Sequence, residues 1–254
     1  MYNLINYPVV LFLVAFAMLW LAAAVGVRLG RRRRLKDDTR EDFAVIQAAT
    51  LTLLGLILGF SFSMAISRYD HRKNLEEEEA NAIGTEYLRA DLLPPADAAK
   101  VKGLLKSYLE QRISFYTTRD PEEYRKINIR TAKLQGELWS AVQAPAVAQP
   151  TPMSALAVAG MNDVLNSQGY TQAAWWNRIP VMAWGLMVVI AICCNALTGY
   201  GARDAKAERK LLLVLPLVVS ITFMLIADID SPRGGLIRVH PQNLQNLSDS
   251  LRPQ

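Results

Sequence analysis

An all-α integral membrane protein is what this sequence predicts: four transmembrane helices, with an extramembrane helical bundle between spans two and three. Three observations predict it. Residues 8–29, 43–66, 179–200 and 211–229 are apolar over lengths that suit a bilayer, which takes about 20 residues of helix. The segment between the second and third stretches is charged and helix-periodic, with no strand pattern of useful length. Hydrocarbon, finally, requires backbone polar groups to pair within each segment, as a helix does. The expected organisation is residues 1–66 for spans one and two, 67–177 for the external domain, 178–230 for spans three and four, and 231–254 for an external tail.

Span one is preceded by "MYNLINYP", which has no Lys or Arg, and is followed by Arg31–Arg34. A cleaved signal peptide carries its charge first, so a retained anchor with its N-terminus outside is expected. The turn to span two holds Arg28, Arg31–Arg34, Lys36 and Arg40, and the turn between spans three and four holds Arg203, Lys206, Arg209 and Lys210. Short basic loops stay in the cytoplasm. The expectation is therefore a multi-pass protein of the cell inner membrane, with N-terminus, middle domain and C-terminus extracytoplasmic. The two loops together carry 11 Lys/Arg against 6 Asp/Glu, which equals the whole net charge of +5. A basic excess confined to loops gives no support to nucleic-acid binding, which needs a basic face on a folded domain.

Span two is polar for a membrane helix. Thr52, Gly55, Gly59 and Ser63 fall on one stripe, a small-xxx-small repeat suited to close helix packing within or between subunits. The same stripe suits a pore lining, with Phe60 or Phe62 as a hydrophobic constriction. The helix is expected to continue unbroken into water, from about Phe43 to Leu93, where Pro94 and Pro95 stop it. Its soluble part carries Glu76, Glu77, Glu78 and Glu79. Repeated around an oligomer, these form an acidic mouth for cations. Arg72 with Glu76, and Lys73 with Glu77, are spaced for i,i+4 pairs on a solvated face.

Two further helices follow. Val101, Leu104, Leu105, Tyr108, Leu109 and Phe115 form one apolar stripe, and Tyr124, Ile127, Leu134, Leu138 and Val142 form the next. Asp120 is placed to cap the second, with Pro121 at its first position. "APAVAQPTP", residues 144–152, reads as an extended, semi-rigid linker because of its three prolines. Helix resumes after it, with Gly169 as its weak point, and Trp175 and Trp176 sit where aromatic anchors meet the membrane boundary. Span four ends in "ADIDSPRGGLIRV". Asp228 and Asp230 are interfacial carboxylates in need of partners; Arg68, Arg72, Arg233 and Arg238 are the candidates. The pair either locks span four to span two or serves ion binding.

Catalytic traces are not found. His71 and His240 are far apart, and no HExxH, CxxC, Gly-rich phosphate loop or G-x-S-x-G occurs. Cys193 and Cys194 read as apolar packing residues inside span three. No enzyme, no metal and no cofactor is expected.

Three phrases together, "LLGLILGFSFSMAISRYDHRK", "EEANAIGTEYLRADLLP" and "LIADIDSPRGGLIRV", resemble the bestrophin-like family of bacterial membrane proteins, over residues 51–247. Bestrophins are pentameric anion channels lined by their second membrane helix. The resemblance implies pore lining by Thr52, Gly55, Gly59, Phe62 and Ser63. It also implies a middle segment in the cytoplasm, the side opposite to that given by loop charge. The functional expectation is an oligomeric membrane protein forming an ion-conducting pathway, with the bilayer, further copies of itself and small inorganic ions as partners. The alternative is a non-conducting scaffold whose external bundle binds a partner.

Overall fold

A computed structural model describes residues 6–32, 37–202 and 210–252. Arg33, Arg34, Lys36, Arg203, Lys206 and Arg209 of the basic loops lie outside the described residues. The described chain is helical, with no strand: α1 (Pro8–Arg32), α2 (Asp37–Arg89), a 3₁₀ turn (Ala90–Leu92), α3 (Pro95–Thr117), α4 (Pro121–Ala148), α5 (Pro152–Trp176), α6 (Val181–Gly201), a second 3₁₀ turn (Leu211–Leu213), α7 (Val214–Asp230) and α8 (Gln242–Ser250). Four helical stretches are long and apolar enough to cross a membrane. The chain divides into two units, Met1–Tyr69 with Arg178–Arg238, and Asp70–Asn177 with Val239–Gln254. The tail expected as a separate segment is thus shared between them.

In the first unit α1 packs along α6 and α7. The α1–α6 crossing is a backbone contact. A Cβ on Gly26 would land on the Ala196 carbonyl, and one on Gly199 would land on that of Ala23. Where lipid is as apolar as the side chains, such close approach supplies the packing energy. The core is built from Leu19, Leu54, Trp184, Met187, Phe223 and Ile226, with the Trp184 and Phe223 rings edge-on at 6.1 Å. From α2 it takes Leu54, Leu58, Ser61 and Ala65, spaced at the helical period. Pro216 falls in the first turn of α7, where a missing N–H costs little.

The second unit is a helical bundle joined by short connections. α2 is one helix of 53 residues, as its lack of breakers predicts. Its α-helical part stops at Arg89 and the 3₁₀ turn finishes it. Leu93 is extended, as the residue before a proline tends to be. Asp120 caps α4 by accepting from the Glu122 amide at 3.0 Å. The stripes of α3 and α4 bury Val101, Leu105, Tyr108, Leu109 and Phe115, and Ile127, Leu138 and Val142.

Two expectations need correction here. The linker 144–152 is not extended: α4 runs through Pro145 to Ala148, leaving only residues 149–151 between helices. Pro145 lies one turn from the helix end, so the backbone bond it forfeits does not stop the helix. Trp175 is not a boundary anchor; it is buried against Phe115 at 4.8 Å and Tyr116 at 5.5 Å. The tail also holds a helix that the sequence reading did not give. Its helix α8 buries Leu244 and sets Leu247 against Gly84. The spacing of Leu244, Leu247 and Leu251 after Pro241 is the signal that sequence reasoning missed.

Candidate functional site

The stripe on α2 faces away from the core of the first unit. Thr52, Gly55, Gly59 and Ser63 are exposed, and Phe62 is half-buried against that core. No atom lies within 4 Å of where a Cβ on Gly55 or Gly59 would be. Among the described residues, therefore, the stripe packs against no other helix. Close helix contact within the chain is made instead by Gly26, Gly30 and Gly199, which the sequence reading did not single out. Thr52 donates its hydroxyl to the Ala48 carbonyl at 2.9 Å, and Phe60 stands fully away from the core at 68 % exposure.

At the end of α7 the two aspartates have different tasks. Asp230, 1 % exposed, accepts from the Ile179 amide at 3.2 Å through both oxygens. It also meets Arg68 Nη1 at 3.5 Å and Arg178 Nε at 3.7 Å. Arg68 was among the expected partners; Arg178, just before span three, was not. Arg178 donates through Nη1 to Asn6 Oδ1 at 2.9 Å. The expected pairing with an arginine is thus made by Asp230; among the described residues no ion pair joins Asp228 to one. Its carboxylate accepts from the Leu236 and Ile237 amides at 2.7 and 2.8 Å and folds the loop after α7 back on itself. Among the described residues Arg238 makes no ion pair, and Arg233 is half-buried in that loop.

In the second unit the acidic run divides by face. Glu77 and Glu78 are exposed, whereas Glu76 and Glu79 are buried. The expected mouth of four carboxylates is thereby corrected to two, because helical phase turns the other two inward. Glu76 accepts from the Leu244 amide at 3.0 Å and from Asn243 Nδ2 at 2.7 Å, capping α8 from outside. Glu79 takes Arg112 in a two-pronged pair, with further donors in Tyr116 Oη at 3.2 Å and Thr171 Oγ1 at 3.4 Å. Burial, the largest single influence, would lower the Arg112 pKa, but the charge and hydrogen bonding of Glu79 together with the Tyr108 and Tyr116 oxygens outweigh it and hold it above the usual value. Burial and then the Glu79 charge push the Tyr108 and Tyr116 phenols up. Arg72 does not use its charge on an i,i+4 pair with Glu76. It is buried and donates to the Ala174 and Asn177 carbonyls at 3.2 and 3.1 Å, at the negative end of α5.

Cavities lie in both units. One of about 300 Å³ in the first unit is walled by Tyr7, Val10, Met224, Asp228, Leu236 and Ile237. One of about 440 Å³ in the second unit lies between α3 and the end of α8, beside Lys106, Glu110, Ser248 and Arg252. A third, about 710 Å³, opens at the α4–α5 turn beside Trp139, Pro150 and Val158. Among the described residues no group of three or more His, Cys, Asp or Glu is placed to hold a metal ion.

The fold has solved counterparts. A bacterial bestrophin homolog from Klebsiella pneumoniae superposes with a TM-score of 0.63 at 13% identity, over 95% of this chain and 99% of that one. Two point mutants of such a homolog from the same organism give 0.65 at 12% identity, over 94% and 97%, and 0.64 at 14%, over 96% of each. At these identities the likeness shows the fold. No curated protein matches the sequence. The model of the Bestrophin-like domain matches residues 10–244, most of the chain. The chain belongs to the Bestrophin-like family.

Proposed function

We propose that the protein is an oligomeric membrane channel that conducts small ions, with the exposed stripe of α2 at its axis. The observation that carries this reading is the direction of that stripe. Thr52, Gly55, Gly59 and Ser63 are the small or polar residues of a membrane span, and they point away from the chain's own core. A lipid-facing surface gains nothing from hydroxyls and bare backbone, whereas a subunit contact or a wet axis uses both. Family membership supports the same reading. Glu77 and Glu78, exposed on the same helix, remain available to draw cations toward the pathway.

The orientation belongs to this proposal. The short basic loops lie in the cytoplasm of an inner membrane, and the second unit lies outside. Reporter fusions after Leu35 and after Pro150 should mark opposite sides, and equal signals would refute this topology.

Gly59→Leu tests the function itself, in purified protein reconstituted into vesicles. A dissociated oligomer means that the stripe is a subunit interface. A surviving oligomer with reduced ion flux means that it lines the pathway. An intact oligomer with unchanged flux refutes the proposal. The scaffold alternative has one observation in its favour. Val147, Met153 and Leu156 are exposed around the α4–α5 turn, a surface that a partner could cover. A dry, packed axis with no flux would select it.

A further inference from the structure

One carboxyl of the second unit takes no part in the channel reading. Glu86 sits one turn before the end of α2 and is 0 % exposed. Among the described residues, neither of its oxygens has a hydrogen-bond donor. It faces the backbone of α5 at Gly160. A Cβ on that glycine would collide with Glu86 Oε2 and stand 2.7 Å from Arg89 Nη1. The site is thus closed on one side by bare backbone, and a side chain at position 160 would have to displace both Glu86 and Arg89.

Two charged groups act on Glu86: Arg89 on its own helix and Asp163 on α5. Arg89 lies 4.0 Å from Asp163 through Nη1 and gives Glu86 no hydrogen bond. A carboxylate out of water with no donor is strongly disfavoured. Burial accordingly pushes the Glu86 carboxyl up to about 8; Arg89 pulls it down by less, and Asp163 adds to the rise. This packing accepts a neutral carboxylic acid.

We propose that Glu86 is a proton-operated latch between the end of α2 and α5, closed while the side chain carries its proton and released when the proton is lost. Release passes the proton to water and leaves a carboxylate that needs a donor. Arg89, three residues along the same helix, is within reach of it. Turning to Glu86 takes Arg89 away from Asp163, so the ionic contact between the helices is lost. Water then follows the charge to the Gly160 backbone. Alkaline conditions open this latch, in contrast to switches built on histidine, which respond to acid.

The full chain in lipid nanodiscs gives the test, titrated from about pH 6 to about pH 10. Difference infrared spectra should show a carboxylic-acid carbonyl band that disappears with a midpoint near 8 and is missing in Glu86→Gln. Amide exchange, normalised to intrinsic rates, should rise several-fold in residues 86–92 and 152–163 with the same midpoint. Glu86→Gln keeps the shape of the protonated acid, so it should fold and stay protected throughout. Lack of the band at pH 7 would mean that Glu86 is ionised and would overturn the proposal. A band that titrates without any change in exchange would also overturn it, as would an exchange transition that persists in Glu86→Gln.

Discussion

Replacing Arg112 by methionine removes one half of a pair whose side chains are both 0 % exposed. Glu79 would keep Tyr116 and Thr171 as neutral donors at 3.2 and 3.4 Å and lose both guanidinium contacts. Breaking a buried ion pair from one side costs about 3–5 kcal/mol, because the remaining charge stays in a dry site. The guanidinium also lies 4.3 Å from the centre of the Phe115 ring, a contact worth about 0.5–2 kcal/mol. We predict a loss near 4 kcal/mol, a large share of the ~5–15 kcal/mol that holds a typical domain together. Replacing both Glu79 and Arg112 by methionine should recover most of it, since no charge is then buried. The assay is urea unfolding of the full chain in detergent, followed by near-ultraviolet circular dichroism. The Phe115, Tyr116 and Trp175 rings lie within 5.5 Å of one another and report on this site. A single-variant loss below ~1 kcal/mol would place the pair in contact with water and refute the reasoning.

Further outcomes follow from other parts of the two units. Gly199→Leu should abolish folded protein on size-exclusion chromatography, because its side chain would enter the α1 backbone at Ala23; Gly55→Ala, which meets no neighbouring helix, should not lower the thermal stability of the isolated chain. Glu76→Ala should release α8, whose nine residues are too few to stand alone. The loss of charge-assisted bonds worth ~1.5–3 kcal/mol each should appear as faster amide exchange in residues 242–250, with Glu77→Ala as the silent control. Glu86 binds its proton more tightly in the fold, about 8 against 4.5, so its contribution is full below the unfolded value and is lost as pH rises toward the folded one. The loss is at most ~1.4 kcal/mol per pH unit in that window, and Glu86→Gln should flatten it in denaturation curves taken at several pH values.

Most of the fold was legible because its signals are long. Four apolar stretches and a breaker-free α2 are patterns of twenty or more residues, and no tertiary contact had to be known to read them. The cap at Asp120 and the stripes of α3 and α4 were legible for a related reason: capping and periodicity are local chemistry. The failures have one physical cause. Which face of a charged helix turns inward depends on its neighbours, and those are distant in sequence. Glu76, Glu77, Glu78 and Glu79 are identical as letters, yet α8 and Arg112 take two of them and leave two in water. An arginine was expected for Asp228 or Asp230 because charge seeks charge; Asp230 takes Arg68, whereas two backbone amides eight and nine residues later hold Asp228. Arg178 was not legible because nothing in the sequence says that the start of span three lies beside the end of span four. The small-residue stripe of span two was legible as a pattern, whereas the glycines that bring helices together within the chain, Gly26 and Gly199, lie in spans whose apolarity masked them.

The buried face of α2 raises a question of design. In the first unit it presents Leu54, Leu58, Ser61 and Ala65; in the second it presents Arg72, Glu76, Glu79 and Glu86 beside Leu75 and Ile83. An apolar face would bind a helical bundle at least as strongly, because buried charges surrender their hydration. What charges add is selectivity of register. Apolar stripes slide past one another by a turn at modest cost, since one leucine replaces another. Arg72 finds the last carbonyls of α5 in one register, Arg112 finds Glu79 in one, and Glu76 finds the first amides of α8 in one. A slip by a turn leaves each of them buried and unpaired, which is the costly condition. The second unit has no cysteine to fix that register covalently. We therefore expect the double variant of Glu79 and Arg112 to separate stability from uniqueness. Its unfolding midpoint should approach that of the parent, while its near-ultraviolet signal weakens and amide exchange in α3 becomes heterogeneous. A double variant with parental stability and a parental aromatic signal would assign the pair no part in choosing the register.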